Sequence, residues 1–302
     1  MLRLLAVALF LVATGSRAQA PAAFQDGWEL GVRYWLSSGT TRWSHNAQGV
    51  DPDNGNPTSI LTYGKLTAHS VELHARRNFG DRWFVRGNGG LGWVRDGSFD
   101  DEDFDADQTK VSDTTSSVRG NRLTYAIVDI GRVLWTTGAT SFGLFAGYHG
   151  WTERLDAYGV VFTVNPGGLP NRGESVPAIS NEIAWDALRV GATLNSAIAP
   201  KTRVSLDLAW VPYAKFYNED SHWLRGDLGP PPNVIIRGHG RGFQADFELR
   251  YLFAGDWEAG AGFRYWWIRS RNGDVRIAGF DVPLVELESR RAGLTLGLTR
   301  RW

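Results

Sequence analysis

The sequence predicts an all-β chain, a ten-stranded antiparallel transmembrane β-barrel with long extracellular loops. Three observations carry that expectation. Nearly every long segment alternates apolar and polar residues with period two, as a strand with two different faces must. The apolar face carries large aromatics and the polar face carries charges deep within the segment, which suits lipid outside and water inside. The connections between segments alternate between short and long.

Composition agrees. The chain has 302 residues, no Cys and a formal net charge of zero, so it lacks the basic field expected of a nucleic-acid binder. With 14 Trp, 36 Gly and 1 Met, it reads as strand-rich. Residues 1–20 predict an export signal: Arg3 gives the positive start, Leu4 to Val12 the apolar stretch, and Ala18-Gln19-Ala20 a small-residue cleavage site. Absence of Cys is compatible with an oxidising compartment. Residues 21–302 then predict one domain, with no apolar run near the ~20 residues that a membrane helix needs.

Ten segments are expected as strands, an even number as such barrels require. The first five are Trp28–Ser38, Ile60–Asn78, Trp83–Asp96, Arg122–Trp135 and Ser141–Val164. The second five are Ile179–Asn195, Thr202–Tyr217, Gly242–Phe253, Trp257–Arg269 and Val285–Trp302. The clearest alternation sets Phe243, Ala245, Phe247, Leu249, Tyr251 and Phe253 against Gln244, Asp246, Glu248 and Arg250. Short turns are expected at Gly80-Asp81, Thr136–Thr140, Ala197–Lys201 and Ala254–Asp256. Long connections are expected at Gly39–Ser59, Gly97–Asn121, Asn165–Ala178, Asp220–Arg241 and Ser270–Leu284. Short turns on the periplasmic side place the long connections outside. Lumen-facing Asp246, Glu248, Arg250, Glu258 and Arg264 predict a salt-bridged, closed interior.

Two constellations fall on the outer side. Asn218-Glu219-Asp220-Ser221-His222 follows the seventh strand, and the acidic run from Asp100 to Asp107 follows the third. Residues i and i+2 share a face, so Asp220 is placed to orient the His222 imidazole. Carboxylates spaced like Asp101 and Asp103 can share one proton. Asp103/Asp105 and Asp105/Asp107 have the same spacing, and residue types alone leave the choice open. A like-charge run is by itself more often a solvated loop, and this one lacks the spacing of a calcium loop. On a ring of ten, the third and seventh strands lie nearly opposite, so the two couples face each other across the mouth. No metal-ligand cluster and no Ser-His-Asp order is found.

With these residues in these loops, the chain resembles an omptin, one of the ten-stranded outer-membrane proteases of Gram-negative bacteria. Asp101-Glu102-Asp103-Phe104 is similar to the family's Asp-x-Asp followed by an aromatic, and Asp220-Ser221-His222 is similar to its Asp-x-His. Gly92-Trp93 and Phe142-Gly143-Leu144-Phe145-Ala146-Gly147-Tyr148 agree in context, and Trp302 supplies the terminal aromatic that bacterial outer-membrane barrels commonly show. The resemblance implies an aspartic-type endopeptidase at the cell surface that uses no metal and no covalent intermediate. It implies Asp101, Asp103, Asp220 and His222 as catalytic residues with water between the couples. It also implies a polypeptide substrate and contact with outer-membrane lipid, with lipopolysaccharide a candidate requirement for activity. A monomer is expected.

Departures from the family pattern are specific. Members that cut after basic residues carry an acid two before the catalytic Asp, where this chain has Asn218. They also carry a Glu after a Ser-Gly-like turn, where Ser38-Gly39-Thr40-Thr41-Arg42-Trp43 offers no acid. Asn218, with Glu219 or lumen-facing Glu29 as replacements for the missing charge, are the candidate substrate-binding residues. Phase raises one further difficulty. Asp220 and His222 share the even phase of Leu206, Leu208 and Trp210, which strict alternation aims at lipid, and Asp101 and Asp103 share the odd phase of Leu91 and Trp93. A bulge at Pro212 would shift the first set. The alternative function is a non-enzymatic barrel, an adhesin or narrow pore.

Overall fold

The computed structural model describes residues 26–302, and the expected export signal lies outside them. The described residues are built of strands, with one short 3₁₀ turn at Gly226–Leu228. In order, the strands are β1 (Gly27–His45), β2 (Asn54–Phe79), β3 (Trp83–Asp105), β4 (Lys110–Val118), β5 (Asn121–Thr137) and β6 (Thr140–Val164). They continue as β7 (Arg172–Ala199), β8 (Thr202–His222), β9 (Val234–Ala254), β10 (Trp257–Ser270), β11 (Gly273–Ile277) and β12 (Phe280–Arg301). Every pairing is antiparallel, and β1 pairs with β12, so the sheet closes on itself and has no free edge.

The twelve segments make ten staves. β4 and β5 pair in succession along β3, with Gly97 against Val118 and then Val94 against Asn121, so together they are one interrupted strand. β10 and β11 likewise run in line between β9 and β12. The interruption at Gly120 uses φ +78°, which glycine adopts without steric penalty.

Strands extend well past their expected ends. β1 reaches His45, β3 reaches Asp105 and β8 reaches His222, so the long outer connections are mostly paired strand. Their polar composition hid this, because outside the bilayer a strand need not show an apolar face to lipid.

Two zones with opposite polarity follow from that. In the lower zone Leu30, Val32, Leu73, Leu91, Val128, Ile130, Phe247, Leu294 and Leu296 point outward and are exposed. Trp28, Trp83, Trp257 and Trp302 ring the short-turn end. From Trp83 to Trp93 the strand runs roughly 33 Å, and a tilt of about 40° makes that roughly 25 Å of height, the thickness of an apolar barrel belt. Inside this zone Arg33 bridges Glu72 and Glu248 at 3.0 and 3.1 Å, and Arg264 bridges Glu72 and Asp246 at 2.5 and 2.7 Å. The ion-paired interior expected from the alternation is therefore present. Above the belt the polarity reverses: Trp43, Leu61, Tyr63, Phe99, Leu155, Ile183, Phe216, Ile236 and Ile268 pack inward as a buried core.

Candidate active site

The residues at the mouth are set by β1, β2 and β3 on one side and β7, β8 and β9 on the other. Laterally paired rows cross the first wall: Trp43, Leu61 and Asp101 form one, and His45, Ser59 and Asp103 the next. On the facing wall Asp220 pairs between Asn181 and Val234, and His222 is level with Ile179.

The phase difficulty is resolved by bulges. Trp210 is exposed and Val211 is buried, and the pairing of β8 with β9 then slips between Val211 and Ala214. Beyond the slip the even residues Ala214, Phe216, Asn218, Asp220 and His222 face inward. The bulge expected at Pro212 is thus present. On β3 the same reversal occurs where Asp96 pairs with Thr67, next to slips on β2 that include Lys65 at φ +52°. Trp93 faces out, whereas Phe99 is buried and Asp101 follows it in phase.

The acid couple is tied by one hydroxyl. Ser59 Oγ donates to Asp103 Oδ1 at 2.5 Å and lies 3.4 Å from Asp101 Oδ1. This selects Asp101/Asp103 among the possible pairs. Asp105 instead accepts from the Thr109 N–H in the hairpin tip, and Asp107 is exposed. On the other wall Asp220 is fully buried, and His222 Nε2 lies 3.9 Å from its Oδ2. The indole N–H of Trp43 reaches across from β1 and donates to the same oxygen at 3.2 Å. Asn233 clamps the His222 backbone, accepting from its N–H at 2.9 Å and donating to its carbonyl at 3.2 Å.

These groups lie beyond the lipid-facing belt, Asp220 ten residues past Trp210. Burial pushes Asp101 well above the ordinary carboxylate range, and the neighbouring charges of Asp103 and Asp220 push it further. Asp103 is raised by burial as well, against the Ser59 hydrogen bond. Burial pushes Asp220 up to about 7, although the Trp43 indole N–H donates a hydrogen bond to it. His222 is pushed down to about 3, first by burial and then by Arg225 and His45. An Asp–His ion pair would move both groups the other way. At 3.9 Å, longer than a hydrogen bond, attraction is weaker than the cost of dehydrating either charge, so the neutral forms are favoured.

The four expected catalytic residues therefore converge on the inner face of one rim. Asn218 is buried one inward step below Asp220, where its Oδ1 accepts from Asn181 Nδ2 at 2.9 Å. Two other expectations are corrected. Glu219 alternates outward between buried Asn218 and Asp220, and accepts from the exposed Tyr217 hydroxyl at 2.9 Å. Glu29 lies inside the barrel at the opposite end, paired with Arg250, Arg203 and Arg301. It faces the lumen as the alternation expects, but it is fourteen residues down β1 from Trp43. Sequence reasoning missed Ser59, Trp43 and His45. The inward phase of β1 held the signal for the last two, since Trp35, Trp43 and His45 share odd numbers and are all buried.

Comparison with known proteins agrees with the architecture. No family model matches the chain, and no curated protein matches it by sequence. Among solved structures, the outer membrane protease OmpT from Escherichia coli superimposes with a TM-score of 0.73 at 13% identity, over 92% of this chain and 97% of that one. Ail of Yersinia pestis and OprG from Pseudomonas aeruginosa, at 9% and 7% identity, cover 92% and 93% of this chain and all or nearly all of their own (100% and 99%), each with a TM-score of 0.31. The fold is that of an outer-membrane β-barrel. It carries, above its lipid belt, an inward-facing site of three carboxylates and an imidazole.

Proposed function

We propose that the protein is an outer-membrane endopeptidase that hydrolyses peptide bonds at the cell surface, its site facing outside. The supporting observation is the convergence of Asp101/Asp103 and Asp220/His222, brought inward by bulges from strands whose membrane portions face the other way. In this reading a water molecule lies between the couples. Neutral His222 takes its proton as the water attacks the carbonyl carbon, and ionised Asp220 stabilises the imidazolium that results. One proton shared by Asp101 and Asp103 hydrogen bonds to the developing oxyanion or to the water, since two close carboxylates resist joint ionisation. The imidazolium of His222 then gives the proton it took from water to the leaving amine as the C–N bond breaks, and the imidazole is neutral again. The chemistry is assigned to these side chains, with a polypeptide as substrate, outer-membrane lipid as partner and lipopolysaccharide as a candidate requirement for activity.

The second reading is a non-enzymatic adhesin or pore. A pore is disfavoured by the lumen. Trp35, Tyr125 and Trp266 form edge-to-face contacts with centroids 4.7–5.8 Å apart, and the ion-paired layer lies next to them. The deciding experiment refolds the protein with lipopolysaccharide and offers a peptide library to the wild type and to His222→Ala. Fragments released only by the wild type support the peptidase. Identical digests, or none, would leave the adhesin reading standing.

A further inference from the structure

Far below the mouth, one lateral row runs along the barrel wall from β1 to β7: Glu29, Arg76, Arg86, Asp129, Gly147 and Arg189. Arg76 and Arg86 are thus direct cross-strand partners, and a sheet disfavours like charges placed so. Phe84 and Phe145 precede the row by two residues on β3 and β6, so they share its inward face and are buried. Their rings gather three guanidinium groups. Arg76 lies 4.4 Å from the Phe84 centroid, and Arg86 lies 5.7 Å from Phe84 and 4.5 Å from Phe145. Arg189 lies 5.2 Å from Phe145. All three line one cavity of about 160 Å³ in the lower lumen, which extends to Ala139 and Ala197 at the short-turn end. One water needs only ~10–15 Å³, so a larger ion has room.

Counter-charge for the three is short by one. Arg86 takes both nearby carboxylates, Asp129 at 2.9 Å and Asp207 at 2.6 Å. Arg189 is only 6% exposed, and its Nε lies 3.3 Å from Asp129 without making a hydrogen bond. Arg76 donates from Nε to Asn78 Oδ1 at 2.8 Å and forms no ion pair among the described residues. Glu29, its neighbour on β1, is already held by Arg203, Arg250 and Arg301. Three cations beside two carboxylates leave a positive charge inside the membrane span, where a missing counter-ion is unfavourable. Guanidinium groups stacked on aromatic rings suit an oxyanion, since the planar fork can give two parallel hydrogen bonds to its oxygens. The sheet closes on itself, so lipid acyl chains have no lateral path to the cavity, and the anion must come from solution.

We propose that Arg76, Arg86 and Arg189 form a binding site for a free, phosphate-sized oxyanion that enters the lumen from the short-turn end. The site is separate from the mouth and does not rest on the peptidase reading. The test dialyses the full chain, refolded in detergent without phospholipid or lipopolysaccharide, against radiolabelled inorganic phosphate, with sodium chloride holding the ionic strength constant. The wild type is expected to bind one phosphate per chain, saturably. Arg76→Gln, its folding checked by heat-dependent migration on gels, is expected to bind at least ~10-fold more weakly, because charge-assisted hydrogen bonds are lost. Arg189→Gln makes the same measurement if Arg76→Gln does not fold. A wild type that binds no phosphate saturably would overturn the proposal without any variant. Equal binding by a folded variant would overturn it too, and would place the phosphate on arginines elsewhere.

Discussion

At the residue scale, the site depends on which protonation states burial imposes. His222, pushed down to about 3 by burial, is in its neutral, proton-accepting form throughout the physiological range. Asp220, near 7, must lose its proton to stabilise an imidazolium, so the rate is expected to rise with pH through about 7 and level off above it. Asp220→Asn should abolish that limb together with most of the turnover, which a pH–rate profile on one cleaved peptide measures. Trp43→Phe removes a donor to the Asp220 carboxylate, and the same profile should move to higher pH. A shift to lower pH would exclude the indole as a support of the ionised form. His222→Ala and Asp101→Asn are each expected to slow turnover by ~10²–10⁴ in single-turnover assays.

The element scale is governed by bulges. Strand β8 cannot serve both lipid and cleft with one phase, since the period of two sends every even residue to the same side. The slip between Val211 and Ala214 adds the residue that exchanges the faces. Deleting Tyr213 should therefore turn Asn218, Asp220 and His222 outward and Glu219 and Ser221 inward. Cleavage should vanish while the membrane portion of the barrel still forms. Heat-dependent migration on gels, which reports the folded barrel, would separate this result from simple misfolding. Retained cleavage would show that the bulge does not set the site's direction.

For the whole molecule, ion pairs cross-link the strands through the lower lumen. Glu72 is completely buried and accepts from Arg33, Arg264 and Asn88. Removing its charge leaves two guanidinium groups short of a partner, so Glu72→Ala should destabilise the barrel by about 3–5 kcal/mol in urea titrations in lipid vesicles. The intact chain should give no stable conductance steps in planar bilayers, because the paired charges and the edge-to-face rings of Trp35, Tyr125 and Trp266 cross the lumen. Regular steps would revive the pore reading.

The sequence alone determined the barrel class, the alternation of short and long connections, the charged, ion-paired lumen and the two couples at the mouth. Each is a matter of period-two pattern or of local spacing, and both are legible along a single chain. It located the bulge at Pro212 because proline disrupts pairing, but it showed no counterpart on β3, where the slip lies in the pairing of Asp96 with Thr67. Only the tertiary structure decided which carboxylates pair, through Ser59, and that Trp43 touches Asp220 from 177 residues away. It also placed Glu29 at the far end of the lumen and Glu219 outside it. Such contacts depend on register between strands and on inserted residues, and a one-residue slip reverses every side chain beyond it, so no local pattern contains them.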